Sequence, residues 1–302
     1  MALKKTGEPN YLLLGLGGMF LVAIIVILAY SFAAAPLSGC VGVVEIKGPI
    51  ISDDIGSTIF SDEIKGAETI AEEIEAADER QDVKSVLILI DSPGGSVVAS
   101  RRLYDAVNGL NKTTVSYINE MAASGGYYVA AGSDYIISNP DAITGSIGAR
   151  ATFSDMSGLF AKLGYNETVV KSGSMKDIGS SSRPMTDAEL AVIQGIINES
   201  FGEFRAAVEE GRKGKLDSEG WKTALDARIM SGRQAKKIGL VDELGSRKQA
   251  IAKAGELGGI KGEPRLCRLS GAPSAKGLFG SLSLQAVEFL ARGAAAPRLS
   301  YQ

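Results

Sequence analysis

The sequence predicts an α/β fold with a largely parallel sheet, preceded by one transmembrane helix. Three observations carry this. Runs of β-branched and leucine residues alternate with segments of helical spacing, the pattern of parallel βα units. One run, Val83 to Ile90 (VKSVLILI), is continuous enough to be a strand buried on both faces. And no charged residue falls between Glu8 and Glu45, with Tyr11 to Ala35 apolar enough and long enough for a helix that needs roughly 20 residues to span a bilayer. Lys4 and Lys5 precede that segment, and no lysine or arginine follows before Lys47. The positive-inside rule then sets residues 1–10 in the cytoplasm, 11–35 as the anchor and the remainder outside the cell membrane. Leu37-Ser38-Gly39-Cys40 also resembles a bacterial lipoprotein processing box, and cleavage there would put a lipid on Cys40.

The elements follow in order. Val41 to Ile50 alternates as a first strand. Ile64, Ala67, Ile70, Ala71 and Ile74 give a helix within 59–80. The strand Val83 to Ile90 runs into the turn Asp91-Ser92-Pro93-Gly94-Gly95-Ser96 and a helix from Val97 to Leu110. Thr113 to Ile118 is a strand, Ser124 opens a helix reaching about Gly132, and Tyr135 to Ser138 is a strand. Thr144 to Gly148 is turn-rich, Met156 to Leu163 helical, and Glu167 to Val170 a strand. Lys171 to Pro184 is a polar loop. Thr186 and Glu189 are spaced as a capping box for a long helix reaching about Gly211. A helix-and-turn unit covers Ala224 to Gly245, and Lys248 to Leu257 is a helix. Residues 36–269 form the main domain. Residues 270–302 form a tail, apolar and helical over Lys276 to Arg292 and disordered from Gly293.

Composition removes whole classes of function. Net charge is −3 over 302 residues, with no basic stripe for nucleic acid. Cys40 and Cys267 form neither a metal-spacing motif nor a disulfide framework. The G-x-x-x-x-G-K-[ST] phosphate loop is absent. The chain contains no histidine, which excludes a Ser-His-Asp triad, a Cys-His dyad and a histidine-based zinc site within one chain. A nucleophilic serine would have to give its proton to a lysine or a carboxylate.

Such a serine has a candidate in Met121-Ala122-Ala123-Ser124-Gly125-Gly126-Tyr127-Tyr128, where only alanine and glycine flank the hydroxyl. The two glycines of Ser92-Pro93-Gly94-Gly95 sit between a buried strand and a helix. There the backbone N–H groups suit developing negative charge. Among the lysines, Lys176 stands out because it lies in a glycine- and serine-rich loop and not on an amphipathic helix; Lys171 is its local competitor.

These segments resemble signal peptide peptidase A, a group of membrane-anchored serine peptidases in the Clp protease/crotonase superfamily. The resemblance covers about Val41 to Leu269. It rests on Leu89 to Ser96, Ala123 to Tyr128, Thr144 to Gly148, Lys176-Asp177, and Ser231-Gly232-Arg233-Gln234-Ala235 through Gly239-Leu240-Val241-Asp242, in that order. It implies a fold of repeated β-β-α units, Ser124 as nucleophile, Lys176 as general base and Ser146 as the hydroxyl that orients it. Backbone N–H groups at Gly95 and Gly125 would form the oxyanion hole. It further implies an endopeptidase acting on cleaved signal peptides or other apolar peptides near the membrane. No metal or cofactor is needed. The assembly would be a homo-oligomer of eight subunits with base and nucleophile meeting across subunit boundaries. Two alternatives share part of the pattern: a stomatin-linked membrane serine peptidase of the same superfamily, and a catalytically inactive membrane-tethered scaffold.

Overall fold

The computed structural model describes residues 23–25, 39–56 and 64–269. Ala23 to Ile25 are helical and belong to a separate compact unit, residues 1–39. The rest of the expected span 11–35 lies outside the described residues, as does the tail 270–302. Among the described residues, no helix is long and apolar enough to cross a membrane.

From Cys40 onward the chain builds one eight-stranded sheet. Strands β1 (Cys40–Lys47), β2 (Val83–Ser92) and β3 (Thr113–Ala123) are its parallel centre. Strand β4 (Tyr135–Ser138) continues parallel beside β3, followed by the two-residue β7 (Glu243–Leu244). Further along, β3 pairs with β5 (Ile143–Gly145), whose antiparallel partner is β6 (Ile229–Ser231). Strand β8 (Arg265–Arg268) adds parallel to the outer edge of β1.

The pleat explains why β2 is apolar on both faces. Val86, Ile88 and Ile90 point with Val44 and Ile46 to one side, where helices α1 (Ala67–Glu79) and α2 (Val97–Asn108) supply Ile70, Ala71, Ile74, Leu103 and Val107. Leu87 and Leu89 point with Val115, Tyr117 and Ile137 to the other, where Ala250 and Ala254 of a later helix, α8, cover them. Three short or medium helices lie between. They are α3 (Gly125–Ala131), α4 (Ser157–Leu163) and, after the long α5 (Asp187–Gly211), α6 (Ser218–Ala224). Then come α7 (Gly232–Lys237) and α8 (Arg247–Leu257).

One buried ion pair ties the last third of the chain to the sheet. The fully buried Arg212 donates to both Asp242 oxygens (2.7 and 2.9 Å) and to the Gly239 carbonyl (2.9 Å). Asp242 also accepts from the Ile136 N–H (2.8 Å) and pairs with Lys215 (2.8 Å). The Ser231–Asp242 segment therefore joins β4, β7 and α5.

The structure corrects four sequence expectations. Glu167 to Val170 is not a strand: Val170 is 95% exposed, and no strand among the described residues pairs with it. Thr144-Gly145, expected in a turn, ends the short strand β5, while β3 runs five residues past Ile118 to Ala123. The first helix starts at Ala67; part of its expected N-terminal stretch, 59–63, lies outside the described residues. And the cysteines do pair. Cys40 and Cys267 form a disulfide across the β1–β8 register, because strand pairing brings together residues far apart in sequence. The Cys40 sulfur is thereby unavailable for a lipid.

The stretch from Arg150 to Glu203 stands apart in composition of burial. Its single buried residue is Glu189. Phe153, Leu159, Leu163, Tyr165, Leu190 and Ile196 are all exposed. Helix α5 rejoins the body from Phe201 onward: Glu203 pairs with Arg101 (3.0 Å), Phe204 stacks on Tyr128 (ring centroids 4.6 Å apart), and a Cβ on Gly211 would meet the Ala131 carbonyl oxygen at 1.9 Å.

Candidate active site

Ser124 sits in the single residue between β3 and α3, at the C-terminal end of a parallel strand, where open α/β sheets place their ligands. Its backbone is at φ 52° and ψ −124°. Positive φ in a residue with a Cβ costs about 1–3 kcal/mol and persists where the surroundings hold it. Here the holding groups are explicit. The Ser124 N–H donates to the Gly145 carbonyl (2.9 Å), and the Ser124 carbonyl accepts from Tyr128 (2.9 Å). The side chain is half-buried, hence reachable.

The Gly94-Gly95 turn is pressed against this residue. Gly94 has φ 94°, and a Cβ on it would lie 2.6 Å from the Gly125 nitrogen and 2.9 Å from the Ser124 Cβ. A Cβ on Gly95 would stand 2.0 Å from the Ile50 carbonyl oxygen, in the bridge joining Ile50 to this turn. Both positions therefore require glycine. A Cβ on Gly125 would be 3.3 Å from the Gly95 nitrogen, so the two amides expected to hold an oxyanion are neighbours. Among the described residues neither donates a hydrogen bond. Gly94 itself is held through its N–H, which donates to the buried Ser92 hydroxyl (3.1 Å).

Ser146 follows β5 directly, also at positive φ (53°), with its N–H bonded to the Arg228 carbonyl (2.9 Å). It adjoins Gly145, the residue that anchors the Ser124 amide. Thus Ser124, Gly94, Gly95, Gly125 and Ser146 form one constellation. Beside it, Pro93, Met121 and Ile143 help line a groove of about 420 Å³ at the ends of β2 and β3, with Asp91, Glu120 and Asp141 among its polar groups.

Lys176 is elsewhere. It lies in an exposed turn of the protruding stretch and, among the described residues, its side chain makes no hydrogen bond or ion pair, to Ser124 or to anything else. Its competitor Lys171 is already committed, to Asp177 and to the Ser174 carbonyl (2.9 Å). Within a single chain, then, the structure brings Ser124 together with the Gly95 and Gly125 amides and, among the described residues, does not bring Lys176 to them.

One residue of the site had no signal in the sequence. Ser100 of α2 is buried, its hydroxyl has no hydrogen-bond partner among the described residues, and a Cβ on Gly125 would fall 2.1 Å from its oxygen. Nothing in the pattern of α2 separates Ser100 from any other small residue on the packed face.

A serine on a strained strand-to-helix turn, beside two amides that donate no hydrogen bond among the described residues, at the C-terminal end of a central parallel strand, fits the arrangement of a serine acyl-transfer enzyme. The comparisons with known proteins narrow this. A sequence model of peptidase family S49 matches residues 108–261, and one of Clp protease matches 55–143. A protein of Methanocaldococcus jannaschii with a provisional protease name is 39% identical over 227 residues, covering 74% of this chain and 72% of that protein. A protein of Enterococcus faecium, provisionally named signal peptide peptidase SppA, is 33% identical over 67% of this chain and 59% of its own length. The chloroplastic serine protease SPPA of Arabidopsis thaliana is 29% identical over 69% of this chain and 30% of its own. Among solved structures, a mutant of the 1510-N membrane-bound stomatin-specific protease aligns at 15% identity and TM-score 0.46, covering 78% of this chain and 99% of its own; that likeness is too low to bear on function. The chain belongs to peptidase family S49 and is a serine peptidase, related to signal peptide peptidase A.

Proposed function

We propose that this protein is a membrane-anchored endopeptidase with a Ser124–Lys176 dyad, cutting signal peptides or other apolar peptides beside the membrane. The observation that carries the reading is the strained Ser124 turn set against the free Gly95 and Gly125 amides in a chain without histidine. In the first step the Ser124 Oγ attacks the scissile carbonyl carbon while the Lys176 amine takes the hydroxyl proton. The Gly95 and Gly125 N–H groups donate to the resulting oxyanion. The ammonium of Lys176 then protonates the departing amine, leaving an ester on Ser124. A water that gives its proton to Lys176 hydrolyses that ester and restores both groups. Ser146 orients the lysine from the turn beside Ser124.

The base comes from a neighbouring copy in a homo-oligomer of eight subunits. Two observations support this. Among the described residues Lys176 is exposed and unengaged, and the stretch carrying it bears Phe153, Leu159, Leu163, Tyr165, Leu190 and Ile196 uncovered, an apolar surface of the kind that marks association. Residues 11–35 anchor the chain in the cell membrane, with residues 1–10 cytoplasmic and the catalytic domain extracytoplasmic. The Cys40–Cys267 disulfide supports that side, since disulfides persist in oxidising compartments.

The test uses the full chain in detergent and a fluorogenic peptide patterned on a signal-peptide apolar core. Ser124→Ala and Lys176→Ala are each expected to lower kcat by about 10³-fold or more with the fold retained by circular dichroism. Full activity in either would overturn the dyad. Co-expressing the two inactive variants should restore measurable activity, because one subunit's intact Ser124 can meet another's intact Lys176. No recovery in mixed oligomers would overturn the shared site.

A further inference from the structure

Lys176 needs a fixed position, yet its surroundings offer almost no apolar burial. From Arg150 to Glu203 only Glu189 is buried, and no residue of α4 is. What fastens the Lys176 turn is polar. Asp177, the next residue, accepts from Arg183 Nε (3.1 Å) and Nη2 (2.8 Å) and pairs with Lys171. The other edge of the same guanidinium donates to both Glu189 oxygens, Nη1 at 2.9 Å and Nη2 at 2.5 Å, and Nη1 also reaches the Pro184 carbonyl (3.1 Å). Glu189 in turn accepts from the Thr186 N–H (2.9 Å) and hydroxyl (3.1 Å), completing the capping box of α5. Alongside, Met156 N–H donates to the Ser181 carbonyl (2.8 Å), and the Phe153 ring lies where a Cβ on Gly179 would be (2.7 Å).

We infer that Arg183 is a positioning residue for the proposed general base: by gripping Asp177 and Glu189 at once it fixes the Lys176 turn against the first turn of α5. The inference rests on the reading of Lys176 as base and names what holds it. A guanidinium can do this because its planar fork presents donors along two edges, whereas an ammonium is a single point charge. Hydrogen bonds from Arg183 hold Asp177 and Glu189 well below the usual carboxylate range, Glu189 at about 2. Both therefore stay ionised through the neutral and alkaline range, and the grip does not itself titrate there. The charged groups around the turn are Lys171, Asp177, Arg183 and Glu189, with Asp155 in the preceding extended segment.

The experiment measures kcat and KM for Arg183→Lys, Arg183→Ala and Asp177→Asn from about pH 6 to about pH 10, using the full chain and the same fluorogenic peptide. A base that must lose its proton makes the wild-type rate climb with pH. If Arg183 positions it, kcat falls about 10-fold or more near neutral pH with KM little changed. The midpoint of the measured pH–rate climb also shifts from its wild-type position. A general folding defect would lower the rate by the same factor at every pH and leave the midpoint in place. That result, or wild-type kcat in Arg183→Ala, would overturn the inference. Lys176→Ala run in parallel separates the two levels. If it keeps full activity, the base assignment fails. If it is inactive while Arg183→Ala behaves as wild type, only the role of Arg183 fails.

Discussion

At Gly125 the identity of one residue is fixed by an atom from another helix. A Cβ there would lie 2.1 Å from the Ser100 oxygen and 3.0 Å from the Ser100 Cβ. Both belong to a packed interface that cannot give way cheaply, since overpacking a core costs about 1–3 kcal/mol. Gly125→Ala is therefore expected to lose stability in that range and to lose activity, because the added methyl pushes on the amide proposed to bind the oxyanion. Ser100→Ala should be neutral or stabilising alone, as it removes a buried hydroxyl without a partner. Combined with Gly125→Ala, it leaves 3.0 Å where 2.1 Å stood. A double-mutant cycle by urea denaturation should then show a coupling of about 1–3 kcal/mol; simple additivity would refute the contact. The example marks what a sequence can show at this scale. Ser124 and Gly94-Gly95 are legible because their meaning lies in adjacent small residues and in the strand that precedes them. Ser100 is not, because its meaning lies in a contact 25 residues away.

At the scale of elements, legibility followed length and burial. β2 and α1 announce themselves through a continuous apolar run and a helical period. β5, β6 and β8, of three or four residues each, are too short to carry any period, and they are strands only because a neighbour completes their ladders. Glu167 to Val170 has the β-branched composition and lacks the neighbour. The α5–β7 junction shows how one polar pair can hold several elements. Burial pushes the Asp242 carboxyl up, but hydrogen bonds from Arg212 and Lys215 outweigh this and hold it below the usual range. A depressed folded-state pKa contributes stability that is present above the unfolded value, about 3.9, and is lost as pH falls through the folded one. The domain should thus lose this contribution only below about pH 4. Asp242→Asn should remove it at neutral pH, leaving Arg212 as a buried unpaired charge at a cost of about 3–5 kcal/mol. Acid and urea titrations followed by circular dichroism measure both, and an Asp242→Asn variant as stable as wild type at pH 7 would contradict it.

For the whole domain the decisive covalent link is the one that spacing could not reveal. Cysteine spacing speaks to local motifs, and 227 residues separate Cys40 from Cys267; only the pairing of β8 with β1 makes them neighbours. The link joins the first strand of the sheet to its last, so it closes nearly the entire catalytic domain into one loop. In the chain-entropy view a loop of that length stabilises the fold by about 5 kcal/mol, and measured losses on removing native disulfides run from about 2 to 5. The paired Cys40→Ser and Cys267→Ser variant should accordingly unfold at lower urea, and the wild type should shift by the same amount on adding a strong reductant, while the variant does not respond. The disulfide lies at the outer edge of the sheet, on β1 and β8, whereas Ser124 leaves β3 and is fastened to β5. Below its unfolding transition the variant should therefore cleave peptide at the wild-type kcat. A lowered kcat under fully folded conditions would mean that the far edge of the sheet governs Ser124, and equal stability with and without reductant would mean that the two sulfurs are not joined.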